Sequence, residues 1–178
     1  MDLVKAARSG QEAAFLQLFD EHHRPLFRFA FRLTGSVADA EDIVQECFLQ
    51  LLRPECAYDP RRTPVRTYLF GVVRNQSLKR LRRIDSADEA SRNANPNRSP
   101  EDEAARAEMQ DAVARAVMQL PDTQRDVLIL AHYEHLPLAE IARIMALELG
   151  AVKSRLQRAR ATLQQTLAAY VSSLERKK

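Results

Sequence analysis

The chain has 178 residues, an apolar fraction of 46% and a formal net charge of only +3. This length fits one domain or two small ones, and the apolar content excludes a wholly disordered chain. The two cysteines, Cys47 and Cys56, have no metal-ligand spacing and indicate a reducing compartment. The sequence contains no apolar run of membrane length and no signal-peptide pattern. We therefore expect a cytoplasmic protein that does not insert into a membrane.

The composition predicts an all-α fold. Only four glycines occur, and Ala, Leu, Arg, Glu and Gln, which favour helix, are frequent. Residues 85–100 contain no large apolar side chain and cannot form a core. We therefore predict two small helical domains, residues 1–84 and 101–178, joined by a flexible linker at residues 85–100.

Two helices are predicted at the start of the first domain. A short helix over residues 2–8 ends before Gly10. A long helix over residues 11–33 places its apolar residues on one stripe, at spacings of three and four. Pro25 is expected to kink this helix, and Gly35 to end it as a left-handed cap.

Two further helices complete the first domain. One follows Ser36 as its N-cap, carries Asp39 in its first turn and runs to about residue 53. The next has Thr63 as its cap and Pro64 as its first residue, because proline suits the first helical position, and it runs to about residue 83. The stripe of the third helix expected to be buried is Ala40, Val44, Cys47, Phe48 and Leu51.

The second domain is predicted to end in a helix-turn-helix. Helices over residues 101–120 and 122–134 precede a short amphipathic segment that begins after Pro137. The helix that follows has no acidic residue between positions 149 and 174. Its expected core positions are Val152, Leu156, Ala159 and Leu163.

The basic final helix is typical of a helix that enters the major groove of DNA. Lysine and arginine neutralise phosphates or pair with guanine edges, and Ser154 and Gln157 can bond to bases. An isolated basic helix could equally be a solvated amphipathic helix. The preceding short helix and turn favour DNA binding here.

A second acid-free block covers residues 60–84 and carries eight cations. It also holds Tyr68, Phe70 and the amide pair Asn75-Gln76, and Tyr58 lies just before it. Aromatic rings stack on unpaired bases while cations hold the backbone, so this block suits melted DNA. The alternative is that the aromatic residues belong to the core beside a solvated basic rim, and for Phe70 the core is favoured.

An acidic helix face and two histidine pairs, His22-His23 and His132 with His135, complete the candidates. Negative charge on the third helix suits either water or a protein partner with basic residues. His132 and His135 have no cysteine or acid cluster placed to join them as metal ligands, and no phosphate loop or catalytic triad order is present. We expect no catalytic residue, no metal site and no cofactor. A dimeric helix-turn-helix regulator would explain residues 101–175, but it leaves the first domain without a role.

Three segments resemble bacterial sigma factors. DAEDIVQECFLQLL at 39–52 resembles the polymerase-binding helix of sigma region two. LPDTQRDVL at 120–128, AEIA at 139–142 and GAVKSRLQRAR at 150–160 resemble region four. The short chain with two helical domains is similar to the extracytoplasmic-function (ECF) group, and the resemblance covers about residues 10–170.

The resemblance implies a transcription initiation factor and not an enzyme. Its partners would be the RNA polymerase core, through a large-subunit coiled coil and the flap, promoter DNA, and an inhibitory anti-sigma protein. The implied polymerase-binding residues are Asp39, Asp42, Ile43, Gln45, Glu46 and Leu49. Those implied for the melted minus-ten element are Tyr58, Arg61, Arg62, Tyr68, Asn75 and Lys79. Those implied for the minus-thirty-five duplex are Lys153, Ser154, Arg155, Gln157 and Arg158.

Three positions depart from the family pattern. Tyr68 stands where tryptophan is usual, and Ala146 stands in the turn where glycine or a small polar residue is common. Glu148 replaces a common proline near the expected groove. Its carboxylate could repel phosphate or accept a hydrogen bond from a cytosine amino group.

Overall fold

The computed structural model describes residues 2–85 and 102–175, with side chains described for residues 2–83, 109–170 and 172. Across these ranges the chain is helical and has no strand, which confirms the predicted fold class. Apart from Asp85, the predicted linker lies outside the described residues. The helices are α1 Leu3–Arg8, α2 Glu12–Thr34, α3 Val37–Leu52, α4 Val65–Asp85, α5 Asp102–Met118, α6 Asp122–His132, α7 Leu138–Met145 and α8 Leu149–Glu175.

Capping residues set the helix boundaries in the first half. The Asp2 carboxylate accepts a hydrogen bond from the Val4 N–H at 3.1 Å and starts α1. Gly35 ends α2 in the left-handed region at φ 71°, as predicted. The Ser36 hydroxyl then accepts a hydrogen bond from the Asp39 N–H at 3.2 Å, which confirms the predicted N-cap of α3. Pro25 lies inside α2 and does not end it.

Helices α2, α3 and α4 pack on one another around an apolar core. All five residues predicted for the buried stripe of α3 are buried. Phe29 of α2 and Phe70 of α4 meet edge to face, with ring centroids 5.4 Å apart. Both rings are at most 1% exposed, which confirms that Phe70 belongs to the core.

The predicted helix-turn-helix is formed by α7 and α8. Val152, Leu156 and Ala159 are buried against α6 and α7, as the spacing predicted, and Leu163 is partly buried. The Glu148 carbonyl accepts the N–H groups of the first turn of α8. This buried stripe fixes which side of α8 remains open to a ligand.

Ala146 ends α7 in the left-handed region, at φ 52° and ψ 50°. A side chain costs about 1–2 kcal/mol in that region, whereas glycine adopts it freely. Glycine also loses more entropy on folding, so the net gain is smaller. We expect Ala146→Gly to raise the free energy of unfolding by about 1 kcal/mol, measured by urea denaturation. The matched control is Ala161→Gly, an exposed position within α8. Ala161→Gly should lower the free energy of unfolding by about 1 kcal/mol. An equal loss in both variants would show that Ala146 is not strained.

The two halves pack against each other. Buried apolar residues form one continuous cluster that includes residues from Val4 to Ala159. Helix α4 lies against α7, and α2 lies against α6. Where α4 faces α7, a β-carbon on Gly71 would lie 3.9 Å from the Ile144 carbonyl oxygen. We call this packing the closed arrangement; it brings α6 and α7 onto the first half.

Candidate nucleic-acid and polymerase interfaces

The outer face of α8 carries most of the residues predicted to bind duplex DNA. Lys153, Ser154, Gln157 and Arg158 are exposed, and the helical period places them on one side. Arg155 falls outside this cluster and is partly buried, next to the core stripe. The α8 face, as we call the four exposed residues, is therefore free of acid and faces away from the core.

Hydrogen bonds within α8 shape this face. The Ser154 hydroxyl donates to the Gly150 carbonyl at 3.0 Å, and Arg158 Nε donates to the Ser154 carbonyl at 3.3 Å. Both contacts are exposed and easily exchanged for contacts to DNA. Arg160 is held differently, because its Nε donates to His132 Nε2 at 3.2 Å. His132 therefore supports the basic helix.

Two tyrosines predicted for the minus-ten element lie in contact. The rings of Tyr58 and Tyr68 are tilted, with centroids 5.2 Å apart, and both are partly buried. The Tyr68 hydroxyl lies 3.2 Å from Cys56 Sγ. Burial, followed by the Cys56 hydrogen bond, raises the pKa of Tyr68, and burial likewise raises the pKa of Tyr58. Both phenols therefore stay neutral and present an aromatic surface beside the loop.

Helix α4 continues this aromatic surface with polar groups. Tyr68, Asn75 and Lys79 are spaced by seven and four residues and lie on one stripe, with Asn75 and Lys79 exposed. In the preceding loop, Arg61 and Arg62 are exposed, and the Asp59 carboxylate accepts from the Arg61 N–H at 2.9 Å. We name Tyr58, Tyr68, Asn75 and Lys79 the aromatic-basic stripe.

The basic block at residues 60–84 does not form one open surface. Arg74 Nε donates to Asp126 Oδ2 at 2.6 Å, and Arg80 Nε donates to Asp39 Oδ1 at 2.7 Å. Arg80 also reaches Asp42 Oδ2 at 3.1 Å. Two cations of this block, Arg74 and Arg80, are therefore bound by carboxylates. No sequence pattern predicted these pairs.

The residues predicted to bind polymerase are unequally accessible. The side chain of Asp42 is 63% exposed and Leu49 is 48% exposed, whereas the Asp39 side chain is 16% exposed and held by Arg80. Ile43 is only 4% exposed and belongs to the core. A partner could contact it only at the floor of a shallow groove between α3 and α4. Gln45 is exposed. Glu46 is partly buried, and its Oε1 lies 3.1 Å from Arg53 Nη2. The groove is completed by Gln76, Lys79, Arg80 and Arg83 of α4.

Three acids of the second half contact the first half, and sequence analysis missed all three. Glu134 Oε2 lies 3.1 Å from Arg28 Nη2, and Glu140 Oε1 accepts from the Thr67 hydroxyl at 2.9 Å. Asp126, the partner of Arg74, is fully buried. One signal for its burial was present, because Asp126 precedes Ile129 and Leu130 by three and four residues and shares their face.

The described residues contain no group of three or more side chains placed to hold a metal ion. Across the same residues, none of the helices has the length and apolar character needed to span a bilayer. In keeping with its burial, His22 has a lowered pKa and is neutral at pH 7.

Comparison with known proteins matches both halves of the chain to one family. Residues 18–86 match the model for Sigma-70 region 2, and residues 110–163 match the model for Sigma-70, region 4. The ECF RNA polymerase sigma factor SigL of Mycobacterium tuberculosis (strain ATCC 25618 / H37Rv) is 36% identical over 174 residues, covering 94% of this chain and 96% of SigL. SigW of Bacillus subtilis (strain 168) is 26% identical, covering 92% of this chain and 94% of SigW.

A solved structure shows the same fold. CnrH in complex with the cytosolic domain of CnrY aligns with a TM-score of 0.71 and 28% identity, covering 94% of this chain and 96% of CnrH. Family models, relatives and structure thus confirm the resemblance seen in the three sequence segments. The chain belongs to the ECF family of RNA polymerase sigma factors.

Proposed function

We propose that the two halves of this sigma factor divide promoter recognition, with residues 1–84 and 101–178 as its two domains. The α8 face, with Arg155 at its edge, binds the minus-thirty-five element as duplex. The aromatic-basic stripe, with Arg61 and Arg62, captures the melted minus-ten strand. The supporting observation is the difference between the two surfaces. One is a cationic helix face, and the other combines two tyrosines in tilted contact with an amide and a lysine.

The tyrosine pair suits capture of an extruded base. Extrusion costs a few kcal/mol, and stacking on an aromatic side chain returns about 1–3 kcal/mol per base. Tyr58 and Tyr68 are held in contact before any DNA binds, so little side-chain entropy is lost on capture. Asn75 can then bond to the base edge while Lys79 attracts the backbone.

Polymerase docking is assigned to the exposed side of α3. Asp42, Gln45 and Leu49 present charge, amide and apolar surface on one helix, with Asp39 and Glu46 at its border and Ile43 beneath. A basic partner surface such as the large-subunit coiled coil would complement it. The second domain would contact the flap.

We also propose an anti-sigma partner that covers these faces until a signal releases the protein. CnrH, similar to this chain in fold and sequence, was solved with the cytosolic domain of CnrY bound. In this proposal the chain acts in the cytoplasm, where polymerase works. Catalysis belongs to the polymerase, and this chain carries none.

Run-off transcription on genomic DNA tests the proposal. Core polymerase with this chain should start RNA at discrete sites that core polymerase alone does not use. The free chain should bind those sites weakly and gain affinity when polymerase is added. Tight site-specific binding by the free chain, with no RNA made, would instead support the stand-alone regulator.

Asp42→Arg tests the docking surface. The substitution places a second guanidinium beside Arg80 and reverses the charge offered to a basic partner. We expect at least about a tenfold loss of affinity for core polymerase, measured by fluorescence anisotropy. Glu41→Arg is the matched control, because Glu41 is the neighbouring exposed acid on a different side of α3. Equal losses in both variants would show a general charge effect and reject the assignment.

A further inference from the structure

Four arginines of the first half contact the second half in the closed arrangement, Arg74 from a largely buried position and Arg28 and Arg66 from exposed ones. Arg28 and Arg32 of α2 contact Glu134, with nitrogen-to-oxygen distances of 3.1 and 3.7 Å. Arg66 of α4 donates to the Glu134 carbonyl at 3.3 Å, and Arg74 binds Asp126. We call these four residues the interface arginines; they form a cationic strip across α2 and α4.

The carboxylates that meet this strip are buried at a cost. The side chains of Asp126 and Glu134 are 0% and 1% exposed. Each leaves one oxygen, Asp126 Oδ1 or Glu134 Oε1, without a hydrogen bond. Burial raises the pKa of Asp126, and the Arg74 guanidinium offsets this effect only in part. At Asp126, pairing therefore does not fully compensate for desolvation, and at both acids one buried oxygen stays unsatisfied, so a phosphate that satisfies the arginines in the open protein can replace these contacts.

The strip has the dimensions of a short stretch of DNA backbone. Asp126 lies near the middle of α6 and Glu134 two residues after its end, and eight residues at the helical rise place them roughly 12 Å apart. In duplex DNA one strand carries a phosphate about every 3.4 Å along the axis, and an unstacked strand is more extended, so the strip would meet about two phosphates of a melted strand. Guanidinium groups bind phosphate in the same bidentate way as carboxylate.

The strip is also continuous with the aromatic-basic stripe. Arg74 precedes Asn75 on α4 and lies in the same shallow groove as Asn75 and Lys79. A strand held by the stripe would therefore pass close to Arg74. In the closed arrangement Asp126 of α6 occupies the Arg74 guanidinium at the end of that path.

We propose that the interface arginines are a further DNA-backbone binding site, and that Asp126 and Glu134 pair with them in place of phosphates until the halves separate. The inference rests on the proposed minus-ten role of α4. It predicts that free protein binds DNA weakly because its own carboxylates compete for the same cations.

Opposite substitutions distinguish this site from a purely structural ion pair. Glu134→Gln removes the competing charge and should raise the affinity of the full-length free chain for a pre-melted promoter fragment by roughly fivefold or more. The double variant Arg28→Gln, Arg32→Gln also breaks the pairing, yet it should lower that affinity. It should also reduce the slope of log affinity against log salt by about 1.4–1.8, the value for two lost phosphate contacts. Fluorescence anisotropy across a salt series gives both quantities.

Controls keep the result decisive. Lys5→Gln removes one exposed cation from α1, away from the proposed site. Comparing its DNA affinity and salt slope with those of the single variant Arg28→Gln separates the effect of net charge from the loss of a specific contact. Thermal unfolding checks each variant, and if the double variant is unstable, Arg28→Gln alone should reduce the slope by about 0.7–0.9. Arginine variants that bind DNA as tightly as wild type, or more tightly, would overturn the proposed site. Run-off transcription by wild type is measured in parallel, so a failure of the sigma function itself would be seen separately.

Discussion

Replacing Arg74 with alanine is expected to separate the two halves of the protein. Asp126 has no exposed side-chain surface and would keep a buried charge without its cation. Removing one partner of a buried ion pair costs about 3–5 kcal/mol. Opening the closed arrangement hydrates Asp126 and avoids that cost. The radius of gyration measured by small-angle X-ray scattering should increase, while the helical circular dichroism is retained.

A compensating double variant checks the cause. Arg74→Met with Asp126→Leu replaces both charges with apolar groups, and such replacements are often neutral or stabilising. The double variant should therefore remain as compact as wild type, or become more compact, although it also lacks Arg74. An unchanged radius in Arg74→Ala, or an equally expanded double variant, would contradict a closed arrangement that depends on this charge pair.

Arg158→Ala is expected to weaken promoter binding by the polymerase complex by about 1–3 kcal/mol, or roughly 5-fold to 150-fold. The Arg158 side chain is exposed on the α8 face, and within the helix its Nε bonds only to the Ser154 carbonyl. It can therefore turn towards a guanine edge at small cost. The loss should be confined to templates with an intact upstream element, measured by competition with upstream-mutated fragments.

Arg158→Lys distinguishes the two kinds of contact that arginine makes. Lysine keeps the charge that attracts phosphate but lacks the planar fork that binds guanine bidentately. If Arg158 contacts a base, the lysine variant should discriminate against mutated upstream elements as poorly as the alanine variant. Full discrimination in the lysine variant would instead assign Arg158 to the backbone.

Much of the fold could be predicted because its signals are local. Ser36 and Gly35 fix helix ends through contacts within a few residues, and the apolar spacing of α8 identified its buried side before any tertiary information. The same spacing also indicated that Ile43 is buried, since it lies three residues after Ala40 and four before Cys47. Ile43 was predicted to bind polymerase because the family resemblance assigns roles by sequence position, and such an assignment does not depend on whether the side chain is exposed.

Contacts between distant segments could not be predicted. A helical period shows that Asp126 faces inward, but it does not show that Arg74, 52 residues away, will meet it. The contact of Cys56 with Tyr68 and the pairing of Arg80 with two acids of α3 likewise depend on how helices are placed relative to one another. The candidate DNA residues were found from their type, whereas the groups that hold or cover them required the structure.

Arg80 has a consequence for how the two ligands of the first half affect each other. It extends from α4, beside Lys79, and its guanidinium holds Asp39 and Asp42 on the surface assigned to polymerase. A partner that draws Asp42 away must redistribute the contacts of Arg80 and so alter the helix assigned to the melted strand. The two effects are thermodynamically reciprocal. If bound polymerase raises the affinity for the melted strand by some factor, the bound strand raises the affinity for polymerase by the same factor.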